Sequence, residues 1–246
     1  QGLNADAFSD RLWYNADNIF LQRNGYPIGT IFGYVEDGFY DNEAEVRADK
    51  VYANEGNGIV KSKIGEIKYR DLNGDGEITT ADRTVIGNVN PDFVFGLTNN
   101  FKYKNFTLGF FLQVSVGNDI LNANLMDMKM GNIGNIPQKL CDSRWTAENP
   151  QDARWPKAVA GYTRTMLTSN RYVENGSYLR LKNVNVGYTF NNPFKGLNAL
   201  YIYASATNLF TITKYSWFDP DVNAFAGDPS RKGVDIYSYP TSRNFS

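Results

Sequence analysis

Asp71-Leu72-Asn73-Gly74-Asp75-Gly76-Glu77-Ile78-Thr79-Thr80-Ala81-Asp82 is the segment whose residue types and spacing most directly spell out a chemistry. Oxygen-bearing side chains stand at positions 1, 3, 5 and 12, with a glycine at position 6. That is the D-x-[DN]-x-[DN]-G loop of calcium sites, closed by Asp82 in place of the usual Glu. A hard cation such as Ca2+ needs this arrangement. Asp71, Asn73, Asp75 and Asp82 supply side-chain oxygens, Glu77 its backbone carbonyl, and Gly76 permits the sharp turn. Asp82 reaches less far than Glu would, which weakens bidentate closure. The competing reading is a turn without an ion, since Asn, Asp and Gly favour turns for conformational reasons of their own. The upstream flank Ile64–Tyr69 alternates like a strand. The expectation is therefore a structural calcium loop, not a helix-flanked sensor.

Other catalytic chemistry finds few candidates. The chain has no histidine, so Ser-His-Asp, Cys-His and His-metal arrangements are impossible within it. A single cysteine, Cys141, excludes an internal disulfide and any Cys-based metal cluster. Acid pairs exist at Asp219-Pro220-Asp221 and Glu36-Asp37, but such pairs in loops are more often solvated than catalytic. There is no P-loop, and an enzyme is not expected. Aromatic residues are the next candidates. Trp145 and Trp155 flank Glu148-Asn149-Pro150, and Trp217-Phe218 precedes Asp219-Pro220. Their ring faces suit sugar rings or peptide side chains, which makes Trp145, Trp155 and Trp217 candidate substrate contacts. Packing within loops, or an interfacial girdle, competes with that reading for each of them. Met126, Met128 and Met130 do not share one helical face and read as local packing. Asn105-Phe106-Thr107, Asn175-Gly176-Ser177 and Asn244-Phe245-Ser246 match the glycosylation sequon only at strand ends.

Charge is balanced, with 25 basic and 26 acidic residues and a net charge of -1. That gives no electrostatic case for a nucleic-acid partner. Mean hydropathy is -0.45, and no run approaches the roughly 18 apolar residues that a spanning helix needs. The unusual content is 16 Tyr, 16 Phe, 4 Trp and 22 Gly, a bias toward strands and turns. A transmembrane β-strand alternates lipid-facing and lumen-facing residues and never builds a long apolar run. The average therefore excludes helical spans only.

The elements that must position these residues are read from alternation. From Val94 to Val116, Phe95, Leu97, Phe101 and Tyr103 share one parity, and Lys104-Asn105 forms a turn. The return strand puts Phe106, Leu108, Phe110, Leu112, Val114 and Val116 on one face, with only Phe111 breaking the polar face. Its span of about 11 residues suits a tilted bilayer crossing. A second hairpin runs from Tyr178 to Phe210. Leu179 and Leu181 share one parity, whereas Val184, Val186, Tyr188 and Phe190 share the other, which calls for a β-bulge near Lys182-Asn183. The breaker-rich Asn191–Gly196 supplies its turn. A weaker hairpin joins Ile19–Arg23 to Ile28–Val35 through Asn24-Gly25-Tyr26-Pro27. Long connections lie between these hairpins, at Glu36–Asp92, Gly117–Gly176 and Thr211–Ser242. Short helices are expected in them after Asn42, over Asp119–Met130 and over Pro137–Trp145. Short turns alternating with long loops is the signature of an outer-membrane barrel.

Several blocks in order resemble one family. Gly25-Tyr26-Pro27-Ile28-Gly29, Phe32-Gly33-Tyr34, Gly65 through Gly76, Asp82-Arg83, Ile86-Gly87 and Asn90-Pro91 come first. Glu174 through Asn183, Gly187-Tyr188-Thr189-Phe190, Asn208-Leu209-Phe210, Thr213-Lys214-Tyr215, Asp219-Pro220-Asp221 and Tyr239-Pro240 follow. Together they resemble the carboxy-terminal part of SusC/RagA-type TonB-dependent outer-membrane transporters of Bacteroidota. The resemblance implies an all-β fold, the C-terminal part of a large antiparallel transmembrane β-barrel, 22-stranded in a whole family member, with long extracellular loops carrying short helices. It also implies outer-membrane lipids around the wall, TonB as the energy source, a SusD-like surface lipoprotein as lid, and oligosaccharides or peptides as cargo.

Length alone would suit one or two β domains, but the resemblance makes residues 1–246 a segment of one barrel with about six or seven strands. Gln1–Asp10 has no signal-peptide features, and Arg243–Ser246 stops where an alternating pattern begins. Both ends read as cut, with plug, TonB box and last strand outside the segment. The expected function is to form barrel wall and extracellular loops of an importer in the cell outer membrane. The alternative is a secreted, calcium-stabilised β-sandwich that binds glycans. Facing discriminates them: a sandwich buries one parity of each strand in a single core, whereas a barrel turns its apolar parity outward.

Overall fold

A computed structural model describes residues 7–9, 19–127, 135–159, 167–225, 228 and 231–246. In chain order the elements begin with β1 (Ala7–Ser9), β2 (Phe20–Gln22), β3 (Thr30–Gly33), β4 (Glu36–Phe39), α1 (Glu43–Ala48), α2 (Asn57–Lys63), β5 (Ile67–Tyr69) and β6 (Thr84–Asn88). Next come β7 (Phe93–Tyr103), β8 (Phe106–Val116), β9 (Asp119–Asn122), α3 (Ala123–Asp127) and α4 (Gln138–Asp142). The chain ends with β10 (Val173–Asn175), β11 (Tyr178–Phe194), β12 (Leu197–Thr213), β13 (Val234–Asp235) and β14 (Asn244–Phe245). Two compact units divide it, one from Gln1–Gly87, Leu121–Val173 and Asp228–Arg231, the other from Asn88–Ile120, Glu174–Gly227 and Lys232–Ser246.

The second unit is built on a five-stranded antiparallel sheet in the order β14-β12-β11-β8-β7. Register aligns like with like across it. Leu97, Leu112, Leu181 and Phe210 form one cross-strand row, and Phe101, Leu108, Val186 and Ala204 another. Alternating with them, Gly96, Gln113, Arg180 and Thr211 form a polar row, as do Asn100, Gly109, Asn185 and Ser205. One face is therefore apolar over four strands, and β14 adds Phe245 opposite Ala206. That face is open: Phe95, Phe101, Ile202 and Ile212 are 49–65% exposed. A sandwich would have buried these side chains against a second sheet.

The expected bulge is present. Pairing slips between Leu181 and Asn183 toward both neighbours of β11, so the apolar face continues where the parity of the sequence changes. Phe111, the aromatic on the polar face, lies over Gly96, where an added Cβ would stand 3.2 Å from its ring. The turn expected over Asn191–Gly196 is shorter: β11 runs to Phe194 and β12 starts at Leu197, leaving Lys195-Gly196. A second register shift between Asn191 and Phe194 absorbs the breakers within the ladder.

In the first unit, β1-β2-β3-β6 form a sheet, and β2 pairs β3 antiparallel across the Asn24–Pro27 turn as expected. Residues 36–69 make a small module in which β4 pairs β5, while α1 and α2 close a core of Tyr40, Val46 and Val60 with Tyr52 and Ile64 packed against it. Asn42 caps α1, its Oδ1 accepting from the Glu45 amide at 3.0 Å, while Glu45 Oε2 accepts from the Asp41 amide at 2.9 Å. The first bond satisfies a donor that a helix start leaves unpaired, and the second ties back the residue before the cap. The helix expected over Asp119–Met130 begins instead as β9, with α3 limited to Ala123–Asp127. Ile120-Leu121 is apolar enough for either element, and burial of both as strand residues decides it. Met128 and Met130 lie outside the described residues. The helix expected over Pro137–Trp145 is α4, Gln138–Asp142.

Candidate functional site

The Asp71–Asp82 loop leaves β5 and returns toward β6. Its entry is fixed by the Arg70 amide on the Val35 carbonyl at 2.9 Å, and its exit by Arg83 Nη2 on the Phe32 carbonyl at 2.9 Å. Gly74 and Gly76 have φ of 77° and 87°, the left-handed region that the loop needs there. Asp71 accepts from the Gly74 amide at 2.6 Å and the Gly76 amide at 2.8 Å. Asn73 Oδ1 accepts from the Asp75 amide at 2.9 Å, and Asp75 Oδ1 from the Glu77 amide at 2.8 Å. Asp82 is buried and accepts from Leu72 at 2.9 Å and Thr79 at 2.8 Å, where Thr79 and Asp82 form a capping box. Burial alone would raise the Asp82 pKa. The Thr79, Leu72 and Asn73 amides outweigh burial and hold the carboxyl below the usual carboxylate range.

All four side-chain oxygen donors named from the sequence are thus gathered on one loop, each already taking backbone N–H bonds. Glu77, expected to offer its backbone carbonyl, lies in the same turn with its amide donating to Asp75 Oδ1. Among the described residues no three His, Cys, Asp or Glu side chains are grouped to hold a metal ion. The donor set is all oxygen, which is the chemistry of Ca2+ and not of a softer metal.

The tryptophans are not brought together. Trp145 is buried, its Nε1 donating to Asp41 Oδ1 at 2.9 Å and its ring lying against Gly65. Trp155 is also buried, with the Arg171 guanidinium 5.5 Å from its ring centre. Arg171 in turn pairs with Glu36 at 2.5 Å. The sequence places Glu36 in a solvated acid pair, but its side chain is only 6% exposed. Trp217 is half-buried and meets the exposed Phe218 edge-on, with ring centres 5.3 Å apart.

On the polar face of the five-stranded sheet lies a cluster that sequence reasoning missed. Arg180 of β11 is 1% exposed. Its Nε donates to Thr211 Oγ1 at 2.9 Å, its Nη2 forms a short ion pair with Asp219, and its Nη1 is 3.5 Å from Asp221. Asp219 also accepts from the Asp221 amide at 2.9 Å, the Thr241 amide at 3.1 Å and the Thr241 hydroxyl. The expectation of a solvated Asp219-Pro220-Asp221 pair is therefore corrected: Asp219 is buried because Arg180 compensates its charge. Burial pushes the Asp219 pKa up, but the Thr241 hydroxyl, the Asp221 amide and Arg180 together bring it below the ordinary value. A buried arginine here holds the loop against the sheet and positions the groups around it.

No family model matches the chain. Individual proteins do. TonB-dependent receptor P3 of Formosa agariphila is 34% identical over 234 residues, covering 92% of this chain and 22% of that receptor. SusC of Bacteroides thetaiotaomicron, also a TonB-dependent receptor, is 28% identical over 218 residues, covering 87% of this chain. The chain is homologous to part of the TonB-dependent receptors. It spans about a fifth of the length of the curated relatives it matches, 22% of P3 and 19% of SusC. A solved structure of the RagAB peptide transporter superposes with a TM-score of 0.65 at 21% identity, over 95% of this chain and 23% of that one. The RagAB peptide importer in its open-open state gives a TM-score of 0.63 at 20% identity, over 96% of this chain and 24% of that one. At that identity the likeness is one of fold. It is the all-β fold expected: part of a large antiparallel barrel wall with long, helix-bearing connections. No helix among the described residues is long and apolar enough to cross a membrane, which says nothing of strands.

Proposed function

We propose that the whole protein is a TonB-energised importer of oligosaccharides or peptides in the outer membrane, working with a SusD-like surface lipoprotein. This chain supplies wall and extracellular loops. The observation that carries the reading is the apolar face running unbroken from β7 to β12 opposite a polar one, in a chain homologous to TonB-dependent receptors. β7 and β8 each have 11 residues. At about 3.3 Å per residue and a tilt of about 45° they rise about 26 Å, close to the apolar band of such barrels. The short turns Lys104-Asn105 and Lys195-Gly196 then face the periplasm, and the long connections the outside.

The loop regions divide the work. Trp145 and Trp155 stiffen the first unit from inside, so substrate contact among the three tryptophans falls to Trp217 with Phe218. Ca2+ held by Asp71, Asn73, Asp75, Asp82 and the Glu77 carbonyl stiffens its loop. No chemistry is done on the cargo. The test is growth on defined oligosaccharides and on peptides of a host carrying the full-length gene, with and without functional TonB. Import predicts that growth on at least one of these classes needs both. Growth indifferent to TonB refutes the reading.

A further inference from the structure

Next to the Arg180 cluster, within the second unit, the structure has a cleft of about 170 Å³. At about 30 Å³ per water it has room for five or six waters, or for a single small residue of a ligand. Ser115 and Tyr178 line it from β8 and β11, while Asp221, Val222, Asn223 and Lys232 line it from the loop that Arg180 holds.

Charge accounting gives the cleft a chemistry. The Arg180 guanidinium is 1% exposed and neutralised by Asp219, whose side chain is 6% exposed. Arg180 thus brings one positive charge to two carboxylates, Asp219 and Asp221, and the cluster is left with a net negative charge. Asp221 has a side chain that is 43% exposed and lies at the long distance of 3.5 Å from Arg180. It is also held in place, because its own amide donates to Asp219 Oδ1 at 2.9 Å. The Tyr178 hydroxyl hydrogen-bonds Asp221 and accepts from Gln113 Nε2 at 3.0 Å, which leaves the exposed side of the carboxylate for a ligand. Lys232 lines the same cleft and is exposed, and among the described residues no ion pair joins it to Asp221. A fixed carboxylate with solvent access, and an ammonium that does not quench it, suit a ligand carrying charge of both signs. Sugar hydroxyls bond to either group singly, but only a ligand that itself carries an ammonium and an anionic or strongly polar oxygen matches both charges at once.

We propose that this cleft is a cargo subsite for the amino-terminal residue of a short peptide, with the α-ammonium on Asp221 and Lys232 serving a carbonyl or carboxylate oxygen further along. The assignment rests on the import reading and narrows its cargo to peptides. Arg180 and Asp219 are positioning residues, which set the carboxylate before the ligand arrives.

The experiment uses the full-length transporter, purified in detergent, and three probes: tetra-alanine, N-acetyl-tetra-alanine and maltotetraose. Tetra-alanine should bind, and acetylation of its amine should weaken binding at least about tenfold. Asp221→Asn should bring tetra-alanine down to the level of the acetylated peptide and leave the latter unchanged, while Asp221→Glu should retain most of the preference. Equal affinity for the two peptides, no peptide binding, or binding of maltotetraose alone overturns the subsite. Should Asp221→Asn fail to fold, the acetylation comparison on the unaltered protein still decides. These failures leave TonB-dependent growth intact. Loss of the import reading would appear there instead.

Discussion

Gly187 lies beneath the phenol of Tyr201: a Cβ built on Gly187 would stand 2.0 Å from the Tyr201 hydroxyl and 2.4 Å from Cζ. The hydroxyl reaches Thr107 Oγ1 at 3.0 Å, so a tyrosine of β12 crosses β11 to bond a threonine of β8. Tyr201 also stacks on Tyr203, at 5.8 Å between centres and 17° between planes. Gly187→Ala should swing the ring away and break the Thr107 bond. Because the obstructed atoms belong to a side chain that can rotate, the cost should be about 1 kcal/mol, at the low end for overpacking. Thermal unfolding of Gly187→Ala, Tyr201→Phe and the double variant checks it. Additive losses would mean that the two residues are not coupled.

Arg180 couples the sheet to the loop through Asp219 and Thr241. Removing one member strands a buried charge, so Arg180→Met alone should cost about 3–5 kcal/mol. Arg180→Met combined with Asp219→Leu should recover much of that loss, because no unpaired charge remains. The readout is protection of residues 214–241 from protease. A single variant with unchanged protection refutes the clasp.

How much of this was legible beforehand differs by type of signal. Alternation located β7, β8, β11 and β12, and the parity change after Leu181 located the bulge, because a buried or lipid-facing parity forces every second side chain. The N-cap at Asn42 was readable from residue types alone. The helix Asn57–Lys63 was not, since Gly56 caps it without a side-chain bond and leaves no local signature. The Arg180 cluster was missed. Arg180 was not singled out, although it falls between Leu179 and Leu181 and so opposite their parity; its partner Asp219 lies 39 residues away, and periodicity has no reach over that separation. The same limit hid the burial of Trp145, whose partner Asp41 is 104 residues away.

Asp82 should make stability depend on pH in one direction. Its folded pKa is lowered, so the stabilisation is fully present above the unfolded value of about 3.9 and is lost as pH falls through the folded value. Asp82→Asn removes the titrating group. The melting-temperature gap between wild type and Asp82→Asn should therefore be widest near neutral pH and close toward pH 3 and below. A gap that stays constant with pH would show that the carboxylate charge is not what the Thr79 and Leu72 amides hold.

Calcium, if it binds the Asp71–Asp82 loop, should raise the melting temperature in proportion to the logarithm of its concentration above Kd. EDTA should reverse the effect. Mg2+ should do less, because it requires a tighter octahedron and sheds water reluctantly. Asp71→Ala with Asp75→Ala should abolish the response and expose the loop to protease. Unchanged calcium content and protease resistance in that variant would leave the loop as a hydrogen-bonded turn, for which the Asp71 bonds to Gly74 and Gly76 already suffice.

The two faces of the five-stranded sheet should respond oppositely to charge. Leu112 stands midway along β8 in the row Leu97, Leu112, Leu181 and Phe210, whereas Asn185 stands on the other face beside Gly109. If the apolar face meets hydrocarbon, Leu112→Arg places a cation near the bilayer midplane at a cost of about 2–4 kcal/mol. Asn185→Arg adds the same charge to the wet side and should cost well under 1 kcal/mol. Bilayer-refolding yield of the full-length protein measures both. A soluble protein would reverse the logic of Leu112→Arg, since an exposed arginine there would be hydrated. Equal tolerance of the two substitutions therefore counts against a membrane-facing wall, and a deficit confined to Leu112→Arg places lipid against that row of side chains.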